Sequence, residues 1–116
     1  MQSVIDNFSD NFFLNFTIGF NRRYSKFIKK IKTSDTYFHT FINQENLAAG
    51  VLMLEPGQED TQEPHDSDEV YYVVKGDGFI KIGKKDFAIT EGMAYYVEKG
   101  VSHKFHGNKK DLVVLY

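Results

Sequence analysis

The chain has no cysteine among its 116 residues. That excludes disulfides, thiolate metal sites and cysteine nucleophiles, so any bound metal must be met by nitrogen and oxygen. Proline occurs only as Pro56 and Pro64, both in the stretch ahead of Glu69. No apolar run approaches the ~18 residues of a membrane-crossing helix, and no internal repeat or low-complexity tract is visible. The first residues include Asp6 and Asp10 instead of a basic-then-apolar layout, so no secretory signal and a cytoplasmic location are expected. A net charge of -2 gives no global pull toward nucleic acid. Neither a nucleic-acid nor a membrane partner is expected.

What is present suffices for one domain with a core of its own, since 41% of residues are hydrophobic and 16% aromatic. From Leu47 onward the pattern is of short strands separated by glycines: 47–54, 69–75, 79–82, 87–90, 94–98, 103–106 and 112–116. The breaks contain Pro56-Gly57, Gly76-Asp77-Gly78, Gly83, Glu91-Gly92 and Gly107-Asn108, all turn-forming combinations. So many short strands predict an all-β antiparallel sandwich or barrel.

The first 46 residues differ. Asn21 is placed to cap a helix over 22–32, in which Tyr24, Phe27, Ile28 and Ile31 form an apolar stripe at helical spacing. Arg22, Arg23, Lys26, Lys29, Lys30 and Lys32 lie on the other face, a solvated face of a helix packing on the barrel or, less simply, a docking surface. A strand is expected over 37–42. Phe8, Phe12, Phe13, Phe16 and Phe20 read as core or dimer interface. The predicted organisation is an extension over 1–46 and a β-barrel over 47–116.

Alternation along a strand places Glu69, Tyr71 and Val73 on one face, and His103 with Phe105 on one face of a later strand. Glu63 and His65 share a side if their segment is extended, which Pro64 favours. Antiparallel pairing of the His65 and His103 segments would bring His65, Glu69 and His103 together inside the barrel. Two imidazoles and a carboxylate suit first-row divalent metals. His106 alternates away from this face, and His39 reads as structural. The segment from Glu55 to Glu69 holds seven acids and no lysine or arginine; apart from Glu63 and Glu69 the acids read as a solvated loop, beside a site that would favour cations. On the opposite face of 69–75, Val70, Tyr72 and Val74 are apolar, which predicts a homodimer.

Gly57-x5-Glu63-x-His65-x3-Glu69-x6-Gly76, followed by Gly92-x7-Gly100-x2-His103, resembles the two-part signature of the cupin family. Asp68-Glu69-Val70-Tyr71-Tyr72-Val73 is similar to small single-domain members, and the resemblance covers roughly residues 47–116. It implies a double-stranded β-helix, or jelly-roll barrel, preceded by the short helical extension. It also implies a metal held by three histidines and a glutamate. Glu63 stands where the first histidine belongs, Glu98 replaces the proline of the second motif and Gly107 its asparagine. His65, Glu69 and His103 therefore remain as ligands. The fourth position falls to Glu63 through its carboxylate, to neighbouring Gln62, or to water.

Fe, Mn, Ni or Zn would serve as the divalent metal. Family members include dioxygenases, isomerases and epimerases, so the resemblance implies a metal-dependent enzyme of oxygenase or isomerase type acting on a small oxygenated molecule. Glu63 would then be ligand or general base, and Tyr71 would position or protonate the substrate. The alternative is a non-catalytic barrel that binds or senses a small ligand or metal.

Overall fold

A computed structural model describes residues 23–116. Asn21, Arg22 and the five phenylalanines from Phe8 to Phe20 lie outside the described residues. The chain divides into two compact units, one ending at Leu52 and one running from Met53 to Tyr116.

In the first unit, helix α1 (Tyr24–Lys32) precedes strands β1 (Phe38–Gln44) and β2 (Leu47–Leu54), whose last two residues open the second unit. The helix starts later than expected. Its N-cap is Arg23, extended at φ -81 and ψ 138, with no side-chain bond to the first turn. Of the predicted stripe, Phe27 and Ile31 are buried while Tyr24 is exposed. Phe27 stacks on Phe41 at 4.5 Å and on His39 at 5.2 Å, which gives His39 the structural place expected of it. Lys29, Lys30 and Lys32 fall in the last turn, where positive charge complements the helix dipole. β1 runs two residues beyond the expected 42 because Gln44 still pairs with Leu47, leaving Glu45-Asn46 as a two-residue turn. No helix among the described residues is long and apolar enough to cross a membrane.

The second unit holds strands β3 (Glu69–Lys75), β4 (Phe79–Ile82), β5 (Lys85–Ala88), β6 (Ala94–Val97), β7 (His103–His106) and β8 (Leu112–Leu115). They form two antiparallel sheets, with β3 between β8 and β6 and with β4 between β5 and β7. This is the jelly-roll arrangement predicted for the chain.

Strands β3, β4, β6 and β7 alternate as their sequences suggest. Tyr71 and Val73 on β3, Ile80 on β4, Val97 on β6 and Phe105 on β7 are buried, and their neighbours Val70, Tyr72, Phe79, Lys81, Tyr96 and Lys104 are exposed. Full burial of an aliphatic side chain stabilises the fold by about 1.5–3 kcal/mol, so this inner face is the principal source of the unit's stability. Strand β8 is buried along Leu112–Val114 without alternation, in keeping with its continuous apolar run.

One strand departs from expectation. β5 covers Lys85–Ala88 instead of 87–90, because Ile82 pairs directly with Lys85 and leaves only Gly83-Lys84 as the turn. Gly83 has φ +61, the conformation a tight two-residue hairpin requires at its first turn position. Gly76 is fixed by space as well as by φ. A Cβ there would lie 2.6 Å from the Asp111 carbonyl oxygen and 2.7 Å from Leu112 Cα.

Candidate metal centre

Glu69 opens β3 and pairs with Val97, so its side chain shares the inner face with Tyr71. His103 opens β7 in the other sheet, opposite Ile82. His65 belongs to no strand: the segment between β2 and β3 is loop. The expected antiparallel pairing of the His65 and His103 segments is therefore not how they meet. Instead, the turn before β7 clamps the loop, with Gly100 N–H donating to the His65 carbonyl at 2.8 Å and Lys99 N–H to Asp68 Oδ1 at 2.9 Å.

The result is the convergence predicted from spacing. Glu69 Oε1 lies 3.4 Å from Nε2 of His65 and 3.4 Å from Nε2 of His103. The ligand atoms of all three residues lie within 4.8 Å of one another. Metal bonds of about 2.0–2.2 Å place neighbouring ligand atoms roughly 2.8–3.6 Å apart across octahedral and tetrahedral arrangements. The donor set and both measured edges thus fit a divalent transition metal. His103 is oriented for this role, since its Nδ1–H donates to the Val101 carbonyl at 2.9 Å. When the imidazole is neutral, that bond selects the tautomer whose Nε2 lone pair faces the centre.

Tyr71 lies at the bottom of the cluster, fully buried, with its ring edge-on to Phe105 at 5.1 Å. Its hydroxyl is 2.9 Å from His103 Nε2, 3.0 Å from Glu69 Oε1 and 2.8 Å from Gln62 Oε1. Burial, then the neighbouring Glu69 carboxylate, push the phenol well above its usual range, so it stays neutral. Burial alone would raise the Glu69 carboxyl, but bonds from His103 and Tyr71 and the nearby imidazoles hold it below its ordinary value. For His103, desolvation pulls the pKa down, yet the Glu69 bond and the Val101 carbonyl outweigh it and the net direction is upward.

The structure does not bring Glu63 into this group. Its side chain is exposed, and the cluster comprises His65, Glu69 and His103. Gln62 points inward in its stead, its Oε1 3.2 Å from His65 Nε2. An amide oxygen only accepts, so in the metal-free protein His65 donates this bond. Sequence reasoning kept Gln62 as one of three options and missed Asp60 altogether, placing it with the solvated acids. Asp60 is buried at 2% exposure and accepts from Gln62 N–H at 3.1 Å, Gln62 Nε2 at 2.8 Å and Phe105 N–H at 2.8 Å. The available signal was its place two residues before Gln62, where an Asp can accept from a backbone N–H two positions on. Asn108 was also missed. It is buried, and its amide donates to the Leu54 and Lys110 carbonyls at 3.0 and 2.8 Å, one residue after the position where the second motif expects an asparagine. His106 is outside the site, as expected, paired with Asp86 at 2.8 Å.

A family model described as a cupin domain matches residues 50–116. An uncharacterized protein of Streptomyces coelicolor is 39% identical over 82 residues, which are 71% of this chain and 78% of that protein. Among solved structures, an RmlC-like cupin from Shewanella frigidimarina matches with a TM-score of 0.61 at 19% identity, covering 67% of this chain and 69% of its own. A protein of Thermotoga maritima described as a predicted oxalate decarboxylase matches with a TM-score of 0.59 at 24% identity, covering 67% and 74%. At such identities these two structures speak for the fold alone.

Proposed function

The chain belongs to the cupin family, and from that premise we propose that it binds a divalent transition metal through His65, Glu69 and His103. We further propose that it acts on a small oxygenated molecule as a metal-dependent enzyme of oxygenase or isomerase type. The observation that carries the metal reading is the convergence of the three ligand atoms within 4.8 Å, with both Glu69 edges at 3.4 Å and the His103 Nδ1 engaged by a carbonyl.

A bound divalent ion would supply a Lewis acid or an oxygen-activating centre there. Glu69 offsets part of its charge. Tyr71 serves as a donor that orients a substrate oxygen: its phenol resists ionisation, which suits hydrogen bonding better than proton transfer. Phe105 is buried and packs edge-on against the Tyr71 ring, which adds to the desolvation of the phenol.

One observation favours binding without turnover. Once the imidazoles and Glu69 are engaged as ligands, the side chains among the described residues that hydrogen-bond to them are Tyr71 and Gln62, neither of them a base. A homodimer is also proposed, supported by the exposed apolar pair Val70 and Tyr96 facing each other on β3 and β6.

Elemental analysis of purified protein, with divalent-metal titration of wild type and His103→Ala, tests the central reading. Stoichiometric metal in wild type and none in the variant is expected; a wild type that neither carries nor takes up metal would overturn it. Turnover of small oxygenated compounds by the loaded protein then separates enzyme from binding module.

A further inference from the structure

We propose that Gln62 is the fourth protein ligand of this centre, entering through its amide oxygen, and that Asp60 is the positioning residue that turns that oxygen toward the ion. The inference rests on the metal reading above and deepens it.

The two ends of an amide are unlike: its oxygen accepts hydrogen bonds and its NH₂ group donates them. A carboxylate oxygen accepts hydrogen bonds and a carbonyl oxygen does the same, so two such atoms facing each other repel. Both oxygens of Asp60 are already set as acceptors by the backbone: Gln62 N–H on Oδ1 at 3.1 Å and Phe105 N–H on Oδ2 at 2.8 Å. The end of the Gln62 side chain that meets Oδ2 at 2.8 Å must therefore be its NH₂ group. The oxygen is left on the other side, 2.8 Å from the Tyr71 hydroxyl and 3.2 Å from His65 Nε2. Flipping the amide would set its oxygen against Asp60 and its NH₂ against the cluster. Because Asp60 is buried and tied to β7 through Phe105, it holds this orientation with the rigidity of the sheet.

The 3.2 Å separation from His65 Nε2 is again a metal-compatible ligand edge. In the metal-free protein the protons of His65 and Tyr71 occupy the lone pairs that a cation would take. Substituting a neutral carbonyl oxygen for an imidazole gives two nitrogens, one carboxylate and one amide oxygen. This mixed set carries a single negative charge and is harder than a histidine-rich one, which shifts preference toward oxygen-tolerant ions such as Mn(II) and Fe(II). Glu63, although it stands at the motif position, takes no part.

Co(II) is the probe that tests this, because its affinity is read by calorimetry and its ligand field by visible absorption. Gln62→His should introduce a third imidazole, tighten Co(II) binding roughly tenfold or more, and move the absorption bands to higher energy. Gln62→Leu should weaken binding by a similar factor. Glu63→His should leave affinity and spectrum as in wild type. Asp60→Asn should weaken binding, and adding it to Gln62→Leu should cost nothing further, because Asp60 acts only through Gln62. Circular dichroism checks the fold of each variant, and the histidine substitution decides the question if the leucine variant fails to fold. Wild-type affinity and spectrum in a folded Gln62→His, or a shifted spectrum in Glu63→His, would overturn the inference while leaving the metal reading intact. A wild type that takes up no Co(II) would remove both.

Discussion

The Tyr71 hydroxyl lies 2.9 Å from Nε2 of His103, so a single phenolic proton faces the lone pair of a candidate metal ligand. The same proton is also in reach of Glu69 and Gln62. Metal-free protein uses it as internal glue, and an incoming ion competes with it for His103. Tyr71→Phe should therefore keep metal affinity or raise it, while lowering the stability of the metal-free protein by about 1 kcal/mol for the lost buried hydrogen bonding. Titration and thermal unfolding of the variant check both halves; a loss of metal binding would mean that the phenol oxygen is itself a ligand.

The pH behaviour of metal-free protein follows from opposite shifts at two groups in contact. The Glu69 carboxyl is held below its ordinary value of 4.5, so its contribution is present above that value and lost as pH falls through the lowered one. The His103 imidazole is held above its ordinary 6.5, so its contribution is complete below that value and lost as pH rises through the raised one. The pair should stabilise the metal-free protein most between these ordinary values. Metal requires the imidazole lone pair, so loaded protein should have its stability maximum at higher pH. Thermal unfolding from pH 4 to pH 9, roughly the range spanning both titrations, with and without Mn(II), reads the displacement of the maximum.

Gly76 ends β3 where the backbone of Asp111 and Leu112 passes closest. Gly76→Ala combines a left-handed φ of +114 with a 2.6 Å approach to a carbonyl oxygen. The backbone conformation alone costs about 1–3 kcal/mol, and displacement of β8 adds to it. A clearly lowered denaturation midpoint is expected, with metal stoichiometry retained in whatever fraction stays folded.

The proposed homodimer is tested on β3 and β6. Val70 is 56% exposed and Tyr96 59% exposed, and they are cross-strand partners on the outer face. Val70→Lys with Tyr96→Glu leaves the inner face untouched, so it should convert a dimer to a folded monomer in sedimentation velocity. A wild type that sediments as a monomer at all concentrations would exclude this interface.

Much of the fold was legible because two periodic signals agree. Glu69, Tyr71 and Val73 alternate with Val70, Tyr72 and Val74 as a half-buried strand must, and the glycines fall at the turns. The boundaries of β5 were misplaced because Phe87 and Ile89 suggested a strand centre, whereas the two-residue turn at Gly83-Lys84 starts it at Lys85. His65, Glu69 and His103 converge as the spacing suggested because Glu69 and His103 open strands and the turn before β7 clamps the His65 loop. Gln62 and Asp60 sit in a loop, where no periodicity dictates which side chains turn inward. Two backbone N–H groups bond Asp60 and help turn it inward, and one comes from 45 residues away.

The three candidate ligands differ sharply in access: side-chain exposure is 38% for His65, 19% for Glu69 and 1% for His103. His65 is thus the solvent-facing rim and His103 the floor, which separates kinetics from equilibrium at this centre. An ion would arrive and depart past His65, the most exposed of the ligands and one carried on a loop, whereas His103 at the buried end is reached last. Changes at the exposed loop positions outside the ligand set, such as Asp66 and Ser67, would alter the rate of metal exchange before they alter the depth of the well.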